Sequence, residues 1–226
     1  MQVQYEGHEQ LSIMSYATLY NKTLFKWINH ECDSECKILD FGAGIGEFSN
    51  RFENQNRINV IELDDAQLLM NKTENRFSTI ESLEDREFDL IYSSNVLEHI
   101  ENDQEIVRQL NKHLKVGGEF RIFVPAKMIL YSSMDRAVGH HRRYEKEELI
   151  ALFSSLDLEV YDCRYFDFLG YFVALLYKFI GSKEGDISKK SILIYDRVVF
   201  PISHFIDKIT FGKIIGKNLM LKARKR

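Results

Sequence analysis

Two stretches of this 226-residue chain concentrate the residue types that chemistry uses. In Asp40-Phe41-Gly42-Ala43-Gly44-Ile45-Gly46, three alternating glycines follow an acid. Glycine accepts positive φ and lets a backbone approach a ligand closely. A glycine turn after a buried strand is therefore a cradle for a nucleotide-like cofactor, with a helix expected to open near Gly46 and aim N–H groups at it. The second stretch is Tyr131-Ser132-Ser133-Met134-Asp135-Arg136-Ala137-Val138-Gly139-His140-His141-Arg142-Arg143-Tyr144. It holds two histidines, three arginines, two tyrosines and an acid within 14 residues. A histidine near neutral pKa serves as a general base, and a guanidinium forks onto phosphate or carboxylate oxygens. His140 is the first candidate base and His141 the second. Arg142 and Arg143 are candidates to hold an oxyanion, and Arg143 with Tyr144 to orient an acceptor. The competing reading is that His140, Arg143 and Tyr144 brace a loop, with Asp135 pairing an arginine.

The spacing in the cradle discriminates between cofactors. A dinucleotide fingerprint needs Gly-x-Gly-x-x-Gly, and Glu47 occupies the place of its third glycine. Asp40 stands where it could meet a cation, and S-adenosylmethionine carries one. Glu62 ends the apolar run Ile58-Asn59-Val60-Ile61, 20 residues after Gly42, where a second strand presents a carboxylate to ribose hydroxyls. Alone, Glu62 reads as a solvated strand end; beside the glycines, the ribose reading prevails.

Together these residues resemble the Rossmann-like, class I S-adenosylmethionine-dependent methyltransferases. Residues 40–46 look like that family's first motif and Glu62 like its ribose acid. Phe88-Asp89-Leu90-Ile91-Tyr92-Ser93-Ser94-Asn95-Val96-Leu97-Glu98-His99-Ile100 looks like its fourth strand and the following turn. Leu114-Lys115-Val116-Gly117-Gly118-Glu119-Phe120 matches the link into strand five, with Val116 where proline is usual. The resemblance implies a doubly wound, mostly parallel seven-stranded α/β sheet with an antiparallel last strand, plus an N-terminal helix and a C-terminal helical insertion. It also places Ala43, Leu63, Asp64, Ser94, Asn95 and His99 near the cofactor, although packing is the favoured reading for His99. Glu81 is the candidate for the adenine amino group. Asp135, the Gly139-His140-His141-Arg142-Arg143-Tyr144 run and Glu147-Glu148-Leu149 sharpen the likeness to a bacterial subgroup associated with surface polysaccharide and cell-envelope biosynthesis.

Stepping along the chain from these motifs gives the elements that must position them. At 45% apolar, the chain has material for one core. One domain over residues 1–226 is expected, divided into an N-terminal helical lid (1–35), a cofactor-binding core (36–165), a helical insertion or acceptor cover (166–216) and a last strand with tail (217–226). Residues 9–29 read as a helix, and Trp27 reads as core; the resemblance implies that this segment lies over the cofactor, with Tyr16 and Tyr20 as candidates to close it, ordinary packing being the alternative. A crossover helix is expected over 47–53, strands over 57–63, 75–80, 89–93, 119–124 and 158–165, and helices over 103–114, stopped by Gly117, and 146–155. The stretch 131–144 reads as a loop, 192–215 as helix broken by Pro201, and 224–226 as a solvated tail.

Net charge of -4 gives no reason to expect a nucleic-acid partner. Cys32, Cys36 and Cys163 read as reduced thiols, and no secretion signal or spanning run is evident, so a cytoplasmic location is expected. No metal site is expected, since the adjacent His140 and His141 should face opposite ways. The apolar run 168–177 and the stretch 192–215 could receive a lipid-linked acceptor or rest on a membrane interface without spanning it. The expectation is methyl transfer from S-adenosylmethionine to a hydroxyl of a small or carrier-linked sugar-like acceptor. Amine and phenol acceptors, a nicotinamide dehydrogenase, and a non-catalytic cofactor-binding or scaffold protein are the alternatives.

Overall fold

A computed structural model describes residues 14–180 and 188–226. Helix α1 (Thr18–Ile28) leads to strand β1 (Ile38–Phe41), then β2 (Ile58–Ile61), α2 (Asp65–Met70), β3 (Asn75–Phe77) and β4 (Phe88–Ser94). There follow α3 (Asp103–Lys112), β5 (Leu114–Pro125), α4 (Ser133–Ala137), α5 (Lys146–Ser154), β6 (Leu158–Phe166) and α6 (Phe168–Ile180). The described chain closes with α7 (Lys189–Ile194), α8 (Phe200–Thr210) and β7 (Asn218–Lys225).

The strands form one seven-stranded sheet in the order β3-β2-β1-β4-β5-β7-β6. Strands β1 and β2 are buried at every residue, as expected of parallel strands covered on both faces. Their pairings with β3 and β4, and that of β4 with β5, are parallel, whereas β7 runs antiparallel between β5 and β6. Alternating side chains feed two apolar layers. Leu39, Ile91, Phe120, Ile122 and Leu221 fill one, and Ile38, Leu90, Tyr92, Phe123 and Met220 fill the other, beneath α1. Because β1 has its sequence successor β2 on one side and β4 on the other, the chain reverses direction across the sheet at β1/β4. A crevice at the strands' carboxyl ends is the usual ligand site in such sheets.

Several expectations about the elements need correction. The crossover after β1 contains two 3-10 turns, Ser49–Arg51 and Gln55–Arg57, not a helix over 47–53. Polar side chains satisfy its backbone instead: Asn50 donates to Ile45 O and Gln55 to Ser49 O, while Asn54 accepts from Asn56 N–H. Gly117 does not stop α3, which ends at Lys112 with His113 as cap. It lies at φ 80° in the early part of β5, where the β4–β5 register shifts. Residues 131–144 are not all loop: α4 carries a capping box between Ser132 and Asp135. Pro201 does not break the helical stretch. A π-helical turn, Tyr195–Val199, joins α7 to α8 just before it, where proline's missing N–H and ring would disrupt a regular ladder. Arg224 and Lys225 belong to β7, Arg224 bonding Glu119 and Lys225 the Asn111 and Leu114 carbonyls. Cys32 and Cys36 are joined by a disulfide, with Cα atoms 5.8 Å apart, in a turn held by Asp33; the thiol argument for a cytoplasmic location falls with it.

Residues after β6 are tied back by buried acids. Asp207 of α8 accepts from the Asp167 and Phe168 N–H groups, and Asp167 accepts from the Tyr195 and Ser203 hydroxyls. Asp196, on the π turn, receives the Leu19 and Tyr20 N–H groups at 3.0 and 2.9 Å, capping α1 from the far end of the sequence. No helix among the described residues is long and apolar enough to cross a membrane.

Candidate functional site

The cradle forms where β1 ends. Gly42, Gly44 and Gly46 have φ of 76, 53 and 89°, a region that disfavours other residues. At Gly42 a side chain is excluded outright: a Cβ there would fall 2.3 Å from Val96. The turn is held by its own N–H groups rather than presenting them. Gly42 and Ala43 both donate to Ile61 O, Gly46 to Ala43 O, and Gly44 to Glu62 Oε2 at 2.8 Å. The expected helix N-terminus at Gly46 is absent with the helix itself. Glu62 is half-buried at the end of β2 and also accepts from Asp64 N–H at 3.0 Å. An ionised carboxylate has about four lone-pair sites, so acceptor capacity remains for hydroxyl groups.

Asp40 lies under the cradle, 3% exposed, and accepts from the Tyr92 hydroxyl at 2.7 Å. Burial pushes its carboxyl up to about 7 against the hydrogen bonds from Tyr92 and Ser49, with Glu62 adding to the rise. Such an acid has no cation beside it among the described residues, and a bound one would favour its ionised form. Leu63 is exposed next to Glu62, whereas Asp64 is buried and caps α2 through Ala66 and Gln67 N–H. Ser94 closes β4; Asn95 follows at φ 55°, its N–H bonded to Phe123 O at the carboxyl end of β5. Glu81 is exposed on a 3-10 turn. The two tyrosines expected over the cofactor are otherwise engaged. Tyr20 is buried among Phe123, Phe166 and Phe200 with its hydroxyl on Asn218, and Tyr16 stacks under Lys189.

Beyond β5, Asp135 organises the polar stretch. It is 1% exposed and accepts from His140 Nδ1 at 2.8 Å, Arg143 Nε at 2.8 Å and Ser132 N–H at 2.9 Å. Although burial opposes it, the His140 hydrogen bond and the Arg143 guanidinium hold its carboxyl down to about 2. Arg143 also reaches Ala126 O, Arg142 holds Asp103 and Glu101 O, and the Tyr144 hydroxyl donates to Asp103 at 2.7 Å. Arg142, Arg143 and Tyr144 thus have the contacts of braces, and those expected to orient an acceptor are turned inward. His141 is exposed, its backbone N–H donating to Glu98 O. His140 differs from all of these. With Nδ1 on Asp135, its Nε2 lies 3.7 Å from Glu98 Oε1, and its ring meets that of His99 edge-on at 4.6 Å. Burial and the neighbouring His140 push His99 down to about 4.

Glu98 is the residue that sequence reasoning missed. It is fully buried, neither carboxylate oxygen has a hydrogen-bond partner among the described residues, and burial pushes it up to about 8. The adjacent acid and histidine at 98 and 99 were a signal available in the sequence. Their meeting with His140, some forty residues on, comes only from the pairing of β4 with β5. Against the expectation of no metal site, His140 brings a ligand atom within 4.8 Å of those of Glu98 and His99.

Known proteins share part of this sequence and the fold. Ubiquinone biosynthesis O-methyltransferases of two Rickettsia bellii strains are 36% identical over 97 residues, 38% of this chain. The match spans only 40% of those relatives' length. Among solved structures, an S-adenosylmethionine-dependent methyltransferase from Archaeoglobus fulgidus superposes with a TM-score of 0.63 at 16% identity, over 96% of this chain and all of that one (100%). The Haemonchus contortus phosphoethanolamine N-methyltransferase 2, solved in complex with S-adenosyl-L-methionine, gives 0.58 at 15% identity, over 95% of this chain and 57% of that one. At these identities the structural likeness speaks for the fold alone. The methyltransferase-domain family matches residues 15–162, from α1 into β6, and the chain belongs to that family.

Proposed function

We propose that the protein is an S-adenosylmethionine-dependent methyltransferase acting on a hydroxyl of a small or carrier-linked acceptor, sugar-like in the reading that residues 135–149 suggest. The observation that carries this is the glycine turn closed by Glu62 at the β1/β4 switch of the sheet, above a buried, cation-free Asp40. Glu62 takes the ribose hydroxyls, exposed Leu63 lies beneath the base, and Asp40 favours the cationic end. Ser94 and Asn95, at the carboxyl end of β4, border the methyl-bearing portion. When bound, the cofactor supplies an electrophilic methyl on a sulfonium. The chain's task is to align an oxygen with it, exclude water and remove the hydroxyl proton. His140, fixed through Nδ1 by Asp135, is the group that activates that hydroxyl.

Oxygen as the acceptor atom is favoured by the curated relatives, whose name is that of an O-methyltransferase. A carrier with an apolar tail is supported by α6 and α8, which leave Phe172, Leu176, Ile202, Phe205 and Ile209 exposed. Calorimetric titration with S-adenosylmethionine, S-adenosylhomocysteine and NAD tests the donor half. Binding of the two sulfur compounds alone, weakened in Glu62→Gln, is expected. A folded protein that binds neither is the non-catalytic alternative. Methyl transfer from labelled cofactor to polar and lipid-linked fractions of a cell-envelope extract then sorts the acceptors, and label recovered in an amine would overturn the hydroxyl reading.

A further inference from the structure

We propose that Glu98, His99 and His140 form a binding site for one divalent transition-metal cation at the acceptor end of the crevice. Each residue offers a ligand atom, and the three atoms lie within 4.8 Å of one another. Ligands bound to one metal at ~2.0–2.2 Å sit roughly 3–3.5 Å apart, so modest side-chain rotations close the set. Glu98 Oε1 and His140 Nε2, at 3.7 Å, are already close to that spacing.

Three further features point to a cation rather than to a chance meeting of polar groups. First, Glu98 is 0% exposed and both of its oxygens lack hydrogen bonds among the described residues. A buried carboxylate left in that state is costly, and a metal ion is one of the few partners that stabilises it. Second, His140 has the support that metal-binding histidines characteristically have. Its Nδ1 is held by Asp135, which leaves the Nε2 lone pair directed at Glu98, and Asp135 is itself fixed by Arg143 and Ser132. Third, the backbone between the two contributing segments is clamped. His141 N–H bonds Glu98 O, so the separation of the ligands is built into the fold.

Two imidazoles and one carboxylate suit zinc, ferrous iron, manganese or cobalt rather than calcium or magnesium, and three protein ligands leave positions open. The cluster lies two residues beyond Val96, the side chain that abuts the cradle at Gly42. Resting on the methyltransferase reading, this inference deepens it: the open position would take the acceptor hydroxyl and lower its pKa. The hydroxyl proton leaves to water, and the oxygen attacks the methyl carbon. A C–O bond forms as the C–S bond breaks, and its electron pair returns to sulfur as a neutral thioether. His140 Nε2 is then a ligand rather than a free base.

The test is titration of the chelator-treated, full-length protein with Co(II), followed by visible absorption, beside S-adenosylmethionine calorimetry on the same sample. One equivalent of cobalt per chain with nitrogen-ligated d–d bands is expected. The affinity should fall at least ~10-fold in Glu98→Gln and in His140→Ala, and about 10-fold in Asp135→Asn, while the exposed His30→Ala leaves it unchanged. Circular dichroism confirms that each variant is folded, and X-ray absorption on the wild-type cobalt complex reads the ligand set without any substitution. A folded protein that takes up no cobalt, or whose binding ignores both ligand substitutions, overturns the site. Cofactor binding without cobalt binding overturns the metal site and spares the methyltransferase reading; cobalt binding without cofactor binding does the reverse.

Discussion

The proposed cofactor and acceptor ends of the site are built by different means. At the cofactor end the backbone makes the shape: three glycines at positive φ, a doubly accepting Ile61 carbonyl, and Glu62 closing the turn on Gly44. At the acceptor end side chains make it. Asp135 gathers Ser132, His140 and Arg143, and Asp103 gathers Arg142 and Tyr144. The first depends on what few residues allow locally, the second on a local cluster around Asp135 tied to Asp103, some forty residues earlier. A backbone-built site serves one constant ligand, whereas a site built from braced side chains can be re-cut for different acceptors without disturbing the turn.

Four substitutions sharpen or break that contrast. The largest effect is expected from His140→Ala, which should lower turnover roughly 10²–10⁴-fold while leaving cofactor affinity intact. Steady-state kinetics with calorimetry checks it, and a parallel loss of cofactor binding would mean that the two ends are not separable. Arg143→Met leaves buried Asp135 without its guanidinium and should destabilise the fold by about 3 kcal/mol, read from urea unfolding. Unchanged stability would release Arg143 from its bracing role and return it to the acceptor. Glu62→Gln should weaken cofactor binding about 10- to 100-fold with little change in stability, since charge-assisted hydrogen bonds are lost only when ligand is present.

The smallest effect concerns Asp40. Its carboxyl, ordinarily near 3.8, is pushed to about 7, so the folded protein holds a proton that the unfolded chain releases. The resulting penalty is absent below the lower value, grows between the two and is complete above the higher. Ligand-free Asp40→Asn should therefore gain stability relative to wild type as pH rises from about 5 to about 8, while binding cofactor less tightly. Thermal melts across that range decide it; parallel pH profiles would show that Asp40 is not the group responsible.

The contrast also explains what was legible in the sequence. The cradle, the place of Glu62 at a strand end and the alternation of strands with helices follow from local patterns of glycine spacing and apolar runs, whereas the sheet's arrangement came from the family resemblance. The crossover after β1 was misread because Asn50, Asn54 and Gln55 satisfy the backbone with side chains, which apolar periodicity does not register. In residues 131–144 the reactive types were visible, as was the pairing of Asp135 with an arginine, but the partner outside the stretch was not. Arg142 and Tyr144 look free until Asp103 arrives from the start of α3. For Tyr20 the resemblance suggests a lid and the helix pattern ordinary packing; its contacts with Phe166 and Phe200 are those of packing. Glu98 has no distinguishing mark beyond its neighbour His99, and only the adjacency of β4 and β5 brings it to His140.

The cap on α1 has a consequence for how the chain is made. Ala17, at that helix's N-terminus, has no side-chain oxygen, and the groups that satisfy Leu19 and Tyr20 sit on Asp196, up to 177 residues later. At ~5–20 residues per second on a ribosome, roughly 10–35 s separate emergence of the helix from synthesis of its cap. Strand β7 is later still, yet it lies between β5 and β6. Tyr20, which packs against Phe166 and Phe200, therefore meets those partners only after most of the chain is translated. The cap of α1 and the β5–β7–β6 part of the sheet can form only when nearly the whole chain has been made.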